Sequence, residues 1–304
     1  MRQRKPSLCI LTMHLILTIK VYSLFCRKGL SDMNRNQIAH FIHTLNQQPE
    51  HRVGYLPRSL SAIEALLNQM SDGDFIIRES SDGTAFLSLI KNESTAHVIG
   101  PLTTHPDLKQ IQGMWTELTE RHPEISSYEF YIDNRHQFGQ QAMKALKTQY
   151  LGTQYTMTAD ALSEKIDTRQ VIQYQPIYKK SFCELLKNLY IDASEKKRLI
   201  LDSLDDNHEL FILLSEGIVK GYVILEVNPQ NICYIDHVET HKHYRQQGIG
   251  HKLVAHAATH AFDVHQATQI KLIVEDKRKK SIQFYEKAGF KKTDEMHHFK
   301  YTVH

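Results

Sequence analysis

Arg245-Gln246-Gln247-Gly248-Ile249-Gly250 stands between an alternating apolar segment, residues 232–240, and a stretch in which Ile249, Leu253, Val254, Ala257, Ala258 and Ala261 repeat at helical spacing. The pattern reads as strand, glycine-containing loop, helix. Such a junction leaves backbone N–H groups unpaired at the positive end of a helix dipole, an arrangement suited to a pyrophosphate. Gly248 and Gly250 permit close approach of a ligand, and they equally suit a plain tight turn from strand to helix. Gly-x-Gly alone leaves both readings open.

Outward from this junction, residues 210–214 read as a strand, Glu216-Gly217 as a turn and residues 219–227 as the hairpin partner. Lys271-Leu272-Ile273-Val274 gives a further strand, followed by Ser281-Ile282-Gln283-Phe284-Tyr285-Glu286-Lys287-Ala288-Gly289-Phe290. Upstream, Val171-Ile172-Gln173-Tyr174 opens the pattern, and the polar segment 153–169, without strong strand alternation, places a domain boundary near 155–168.

Residues 245–250 resemble the R/Q-x-x-G-x-G/A signature of the GCN5-related N-acetyltransferase (GNAT) superfamily, and residues 281–290 resemble its closing motif, A-x-x-F-Y-E-K-x-G-F. The resemblance implies a mixed α/β domain over 168–304, a sheet that splays beside the loop, and acetyl-coenzyme A as cofactor. By the same resemblance, the backbone around Val238 and Thr240 and the loop residues Arg245, Gln246, Gln247, Gly248, Ile249 and Gly250 bind the coenzyme. Tyr285 would protonate the departing sulfur, the other reading being a core aromatic like Phe284. Glu239 is the first candidate for the base, ahead of Asp236, His237 and Glu226; a solvated strand-end carboxylate is its alternative. The family's Asn three residues before the closing motif is replaced by Arg278, within Lys277-Arg278-Lys279-Lys280. That basic run is either a solvated face or a contact for the coenzyme's 3′-phosphate or an acidic substrate.

In the N-terminal half, Leu60, Ile63, Leu66, Leu67 and Met70 follow helical spacing up to Ser71-Asp72-Gly73. The next segment, 74–80, reads as a strand with Phe75 and Ile77 on one face and Ile76, Arg78 and Ser80 on the other. A guanidinium inside so apolar a strand needs either a structural carboxylate or an anionic ligand. Residues 85–90 and 96–99 read as two further strands.

The order GDFIIRES (73–80), FLSLI (86–90) and AHVI (96–99) resembles the Src homology 2 domain, a phosphotyrosine-binding module. The resemblance implies that Arg78 holds the phosphate, that Ser80, Ser81 and Thr84 donate to it, and that His97 floors the pocket. Arg58 stands about two residues from the family's early helix arginine, and Ile99 replaces a basic residue. The helical stripe Leu108, Ile111, Trp115 and Leu118 then reads as an insertion, with Trp115 read as core in preference to a binding platform. Residues 128–132 read as a later strand, 141–151 as the second helix, and 33–155 as this domain.

Lys+Arg 37 against Asp+Glu 34 is too balanced for a general nucleic-acid binder. The four cysteines, Cys9, Cys26, Cys183 and Cys233, have no zinc-finger or C-x-x-C spacing. His208-Glu209 lacks the partner histidine of a metalloprotease motif, and His256 with His260 reads as a solvated face in preference to a metal pair, so no metal is expected. Residues 1–32 contain a basic then apolar run and read as a leader, an anchor or a segment before the true start. Membrane association is expected only if residues 8–26 persist as an anchor.

The composite expectation is an α+β protein: a Src homology 2-like sheet flanked by helices with a helical insertion, followed by a GNAT domain. It implies an acetyl-coenzyme A-dependent N-acetyltransferase guided to phosphotyrosine-bearing proteins, cytoplasmic or secreted into a host cell as an effector. The alternatives are a phosphotyrosine adaptor with a degenerate GNAT fold and a small-amine N-acetyltransferase.

Overall fold

The structure is a computed structural model describing residues 33–162, 166–204, 207–228 and 231–303. The expected leader, 1–32, lies outside them. None of the described helices is long and apolar enough to cross a membrane. The chain forms two compact units, an N-terminal one of residues 33–154 with 294–303 and a C-terminal one of residues 155–293. The expected division, 33–155 and 168–304, differs at both ends, because the polar segment thought to be a linker contains a strand and the last ten described residues belong to the first unit.

The N-terminal unit begins with α1 (Arg35–Asn46), whose first turn is closed by a capping box between Asn34 and Gln37. After α2 (Leu60–Gln69), capped by Ser59, comes an antiparallel meander of β1 (Phe75–Glu79), β2 (Thr84–Asn92) and β3 (Thr95–Thr103). The next helix, α3 (Leu108–Arg121), carries the chain across to β4 (Ser127–Asp133), which pairs parallel with β3. Then follow α4 (Gln137–Ala145) and β5 (Gln149–Ala159). Residues 296–302 of β11 (Lys291–Thr302) pair antiparallel with β4, giving the order β1-β2-β3-β4-β11. The core lies between this sheet and the helices, with Trp115 5% exposed and edge-on to Tyr128.

The C-terminal unit starts with residues 155–159 of β5 and a short β6 (Val171–Gln173). It continues through α5 (Lys179–Leu189), α6 (Ala193–Asp202), and an antiparallel meander of β7 (His208–Ser215), β8 (Ile218–Val227) and β9 (Ile232–Thr240). Helix α7 (Ile249–Asp263) crosses to β10 (Gln269–Glu275), parallel to β9, and α8 (Lys279–Lys287) leads into β11. Strand β8 alternates as a strand buried on both faces should: Val223 and Leu225 face the α7 side, Tyr222 and Ile224 the α5–α6 side.

From their first helices onward both units share one order, two helices, three antiparallel strands, a crossover helix, a parallel strand, a helix and a closing strand; the C-terminal unit adds β6 ahead of it. This corrects the Src homology 2 expectation. The meander over 75–103 forms as read, but α3 is no insertion: it is the crossover a parallel pair requires, matched by α7 in the second unit. The helix placed at 141–151 runs over Gln137–Ala145 instead, and residues from 149 are strand.

Helix α7 lies against the sheet at Gly221, where a Cβ would stand 2.7 Å from the Glu239 backbone oxygen and 2.9 Å from Leu253 Cδ1. Alanine there gains about 0.5–1 kcal/mol in backbone entropy but forces a close-packed layer apart at about 1–3 kcal/mol. Gly221→Ala is expected to destabilise the protein and lower its urea midpoint at unchanged m-value.

Candidate functional site

The parallel pairing of β9 with β10 covers only Ile232, Cys233 and Tyr234 opposite Gln269, Ile270 and Lys271. Beyond Tyr234, β9 keeps β8 as its ladder partner, from Leu225↔Ile235 to Gly221↔Thr240. The facing edges of β9 and β10 part at this point, as the splayed sheet expected from the sequence requires.

At the open end of the splay the chain turns into α7. Gly248 adopts the left-handed conformation, φ +77°, and a Cβ there would meet nothing within 4 Å. The first bond into the helix runs from the Lys252 N–H to the Gly248 carbonyl, 3.1 Å, and the N–H groups of Ile249, Gly250 and His251 have no partner among the described residues. Gly250 lets α8 approach, since a Cβ would lie 3.3 Å from the Phe284 ring. Arg245 ties the loop back to β9: its Nε donates to the Thr240 carbonyl at 3.3 Å, and its Nη2 lies 3.8 Å from Glu239 Oε2. Gln246 takes φ +63°, and the Gln247 side chain donates to the His243 carbonyl at 3.4 Å. A cavity of about 270 Å³ opens beside the loop, lined by Leu162, Ile166, His251, Ala255, Lys287 and Ala288.

Tyr285 sits on α8 against Phe284 and Phe290. Burial, and then the Glu239 carboxylate, push its hydroxyl up to about 12, with Arg278 acting in the opposite direction. Glu239 is paired in register with Tyr222, whose hydroxyl meets that of Tyr190 at 2.8 Å. Burial raises both of these tyrosines too, with Glu239 contributing. Glu239, Tyr285 and Arg278 thus share one electrostatic neighbourhood with Tyr190 and Tyr222, which the sequence reading did not single out. Tyr222 reads as an ordinary strand aromatic, and no pattern marks Tyr190.

A bulge in the β8–β9 ladder leaves Asp236 out of register. Its carboxylate is 2.8 Å from His237 Nδ1, and His237 Nε2 is 3.0 Å from Lys196 Nζ. The bond to His237 holds Asp236 below the usual carboxylate range. Glu226 pairs with Tyr234, four residues along β8 from Tyr222 and so roughly 13 Å from the Glu239 position.

The corresponding places in the N-terminal unit are occupied by the chain itself. The α3 N-terminus is capped by Asp107, whose carboxylate accepts from the N–H groups of Lys109 at 2.8 Å and Gln110 at 3.2 Å. Strands β3 and β4 part after Val98↔Phe130, and buried His136 reaches the Pro101 carbonyl at 3.1 Å. Because His136 Nδ1 accepts from the Gly139 N–H, Nε2 carries the proton that Pro101 receives. Met143 is the seventh residue of α4, as Tyr285 is of α8.

The proposed phosphotyrosine set is not assembled. Arg78 Nη2 pairs with Glu117 Oε2 of α3 at 2.6 Å, and Glu117 also takes Arg121. His97 lies on the other face, stacked on Tyr55 and near Tyr131, whereas α3 covers the Tyr128 and Phe130 face of β4. Ser80 bonds within its turn to Gly83, Ser81 to Asp82, the Thr84 N–H to Thr104, and Arg58 to Asp294 at 2.7 Å. The structural carboxylate answers the guanidinium, so the phosphotyrosine guidance that rested on Arg78 loses its carrier, and with it the effector role that rested on pairing such a domain with an acetyltransferase.

Residues 175–290 match the Acetyltransferase (GNAT) family model. No match was found among curated protein sequences. In fold, the chain is similar to a GCN5-related N-acetyltransferase from Sphaerobacter thermophilus, at TM-score 0.66 and 12% identity, over 87% of this chain and 91% of that one. It is also similar to a tandem GNAT protein from the clavulanic acid biosynthesis pathway, at TM-score 0.56 and 10% identity, over 88% and 94% of the two chains. A functionally unknown conserved protein from Staphylococcus epidermidis gives TM-score 0.51 and 15% identity, over 76% and 95%. The C-terminal unit thus carries a GNAT acetyltransferase domain, and acetyl-coenzyme A is the coenzyme of that family.

The Arg78–Glu117 pair is 32% and 38% exposed, so solvent screening leaves it worth about 0–1 kcal/mol. Arg78→Ala is expected to shift stability by no more than that in urea unfolding. Calorimetric titration of the wild-type chain with a mixed phosphotyrosine peptide pool is expected to give no binding heat.

Proposed function

We propose that the C-terminal unit is an acetyl-coenzyme A-dependent N-acetyltransferase with one coenzyme site per chain, and that the N-terminal unit is a repeat of the same fold without a coenzyme site. The observation that carries this reading is the contrast between two helix N-termini. That of α7 presents N–H groups behind Gly248 with no partner among the described residues, and that of α3 spends two of its donors on the carboxylate of Asp107. An anion favoured by the first is repelled by the second.

The free donors, the open space over Gly248 and the parted strand edges fit the coenzyme. Ile249, Gly250 and His251 would hold its pyrophosphate through their N–H groups, the exposed edge of β9 at Val238–Thr240 would take its amide arm, and His251 and Lys287 line the adjoining cavity. When bound, acetyl-coenzyme A supplies an activated acetyl thioester. Tyr285, with its hydroxyl held near 12, keeps its proton across the physiological range and can give it up at the phenolic oxygen. The Glu239 carboxylate, in the same neighbourhood, is the acceptor for the proton that an incoming amine must lose. Asp236, held ionised by His237, adds a negative charge on the same strand, which favours a cationic amine acceptor.

Two measurements test this. In calorimetry, acetyl-coenzyme A is expected to bind once per chain, and Gly248→Val, which places a branched side chain in the open space at φ +77°, is expected to weaken binding at least tenfold. Tyr285→Phe is expected to lower kcat by about 10²–10⁴ with coenzyme affinity kept within about twofold. Unchanged turnover in that variant would remove Tyr285 from the chemistry.

A further inference from the structure

The geometry points to a divalent transition-metal site, of the kind zinc takes, formed by Glu209, His260 and His265 at the end of α7 remote from the glycine loop. This goes beyond the acetyl-transfer reading and does not depend on it. Glu209 is the second residue of β7, His260 lies near the end of α7, and His265 follows the helix. His265 Nε2 is 2.9 Å and His260 Nε2 3.0 Å from the same Glu209 oxygen, and the three ligand atoms all lie within 4.8 Å of one another. Two imidazole nitrogens and one carboxylate oxygen are a ligand set zinc takes, with bonds near 2.0–2.2 Å that put ligand atoms about 3.3 Å apart in a tetrahedron. The two spacings to the Glu209 oxygen, 2.9 and 3.0 Å, lie a few tenths of an ångström under that value, so a small outward shift of the rings would admit the ion, with solvent in the fourth place.

The chain brings these residues together by specific means. Beyond α7 the backbone folds back: the N–H groups of Val264 and His265 return to the His260 carbonyl, that of Ala267 returns to Ala261, and Gln266 takes φ +51°. That turn places His265 beside His260, with ring centroids 5.2 Å apart. Phe211 of β7 packs edge-on against the rings of both His256 and His260, which holds the latter in orientation.

A second observation separates this cluster from an ordinary pair of hydrogen bonds. His265 makes a hydrogen bond to Glu209, but His260 Nε2, buried from solvent and only 3.0 Å from the carboxylate, has no hydrogen-bond partner among the described residues. A buried ring nitrogen left in this way is costly. A cation shared with Glu209 and His265 would satisfy it through the lone pair. The position is about 17 Å along α7 from Ile249, eleven residues at 1.5 Å each, so the metal would tie the C-terminal end of α7 to β7 and not enter the reaction.

The test uses the full chain stripped of metal by chelation, titrated with Zn²⁺ by calorimetry, with melting followed in parallel. The wild type is expected to bind one Zn²⁺ that His265→Ala loses, with affinity falling by more than the 10–100-fold typical of outer-shell changes. Zinc is expected to raise the wild-type Tm by several degrees and leave that of His265→Ala unchanged. Should His265→Ala fail to fold, His265→Asn is read in its place, with Co²⁺ absorption reporting whether tetrahedral coordination is lost. Zinc binding and Tm response equal in wild type and variant, or no zinc uptake by the wild type, would overturn the assignment.

Discussion

The parallel ladder between β9 and β10 stops at Tyr234 opposite Lys271, and the rest of the C-terminal unit is arranged around that opening. Backbone donors and acceptors on two parting strand edges must find other partners, because burying them unpaired costs as much as a lost hydrogen bond. The unit leaves them at the mouth of a cleft, with α7 pressed against the sheet at Gly221 and the helix's own unbonded N–H groups at the same end. The opening, the glycine loop and the helix dipole are thus three aspects of one strand-to-helix crossover.

The N-terminal unit meets the same constraint differently. Its parallel pair also ends early, after Val98 opposite Phe130, but His136 reaches the Pro101 carbonyl and Asp107 caps α3. Two of the N–H groups at that helix end are then already spent, and the capping carboxylate sets a negative charge where an anion would sit. At these two helix N-termini the polar side chains differ: the carboxylate of Asp107 caps α3, whereas Gly248 at the start of α7 offers no side-chain cap.

The C-terminal unit was legible because its determinants are local. A glycine with positive φ, an apolar stripe at helical spacing and an aromatic pair on the last helix leave marks that a single sequence reveals. Strand β9 has the limits read for it, Ile232–Thr240. The N-terminal unit misled because an arginine in an apolar strand carries the same sequence mark whether a phosphate or Glu117, 39 residues away, answers it. The parallel pairing through α3 was likewise hidden, since alternation specifies which residues share a face and not which strand lies alongside. The same limit applied to His260: its helix face was read from spacing, and only the return of the chain at Gln266 and the placement of β7 bring His265 and Glu209 to it. Of the groups that share one electrostatic neighbourhood, the sequence singled out Glu239 and Tyr285 and not Tyr190 and Tyr222, because tertiary packing alone sets the latter two hydroxyls together.

The central claim, that one unit is open to the coenzyme and the other closed on itself, is tested most directly by amide hydrogen exchange over the whole chain with and without saturating acetyl-coenzyme A. Slowed exchange is expected at residues 238–240 and 248–251, with none at 99–110 at the start of α3. Protection at 99–110, or its absence at 248–251, would contradict the account.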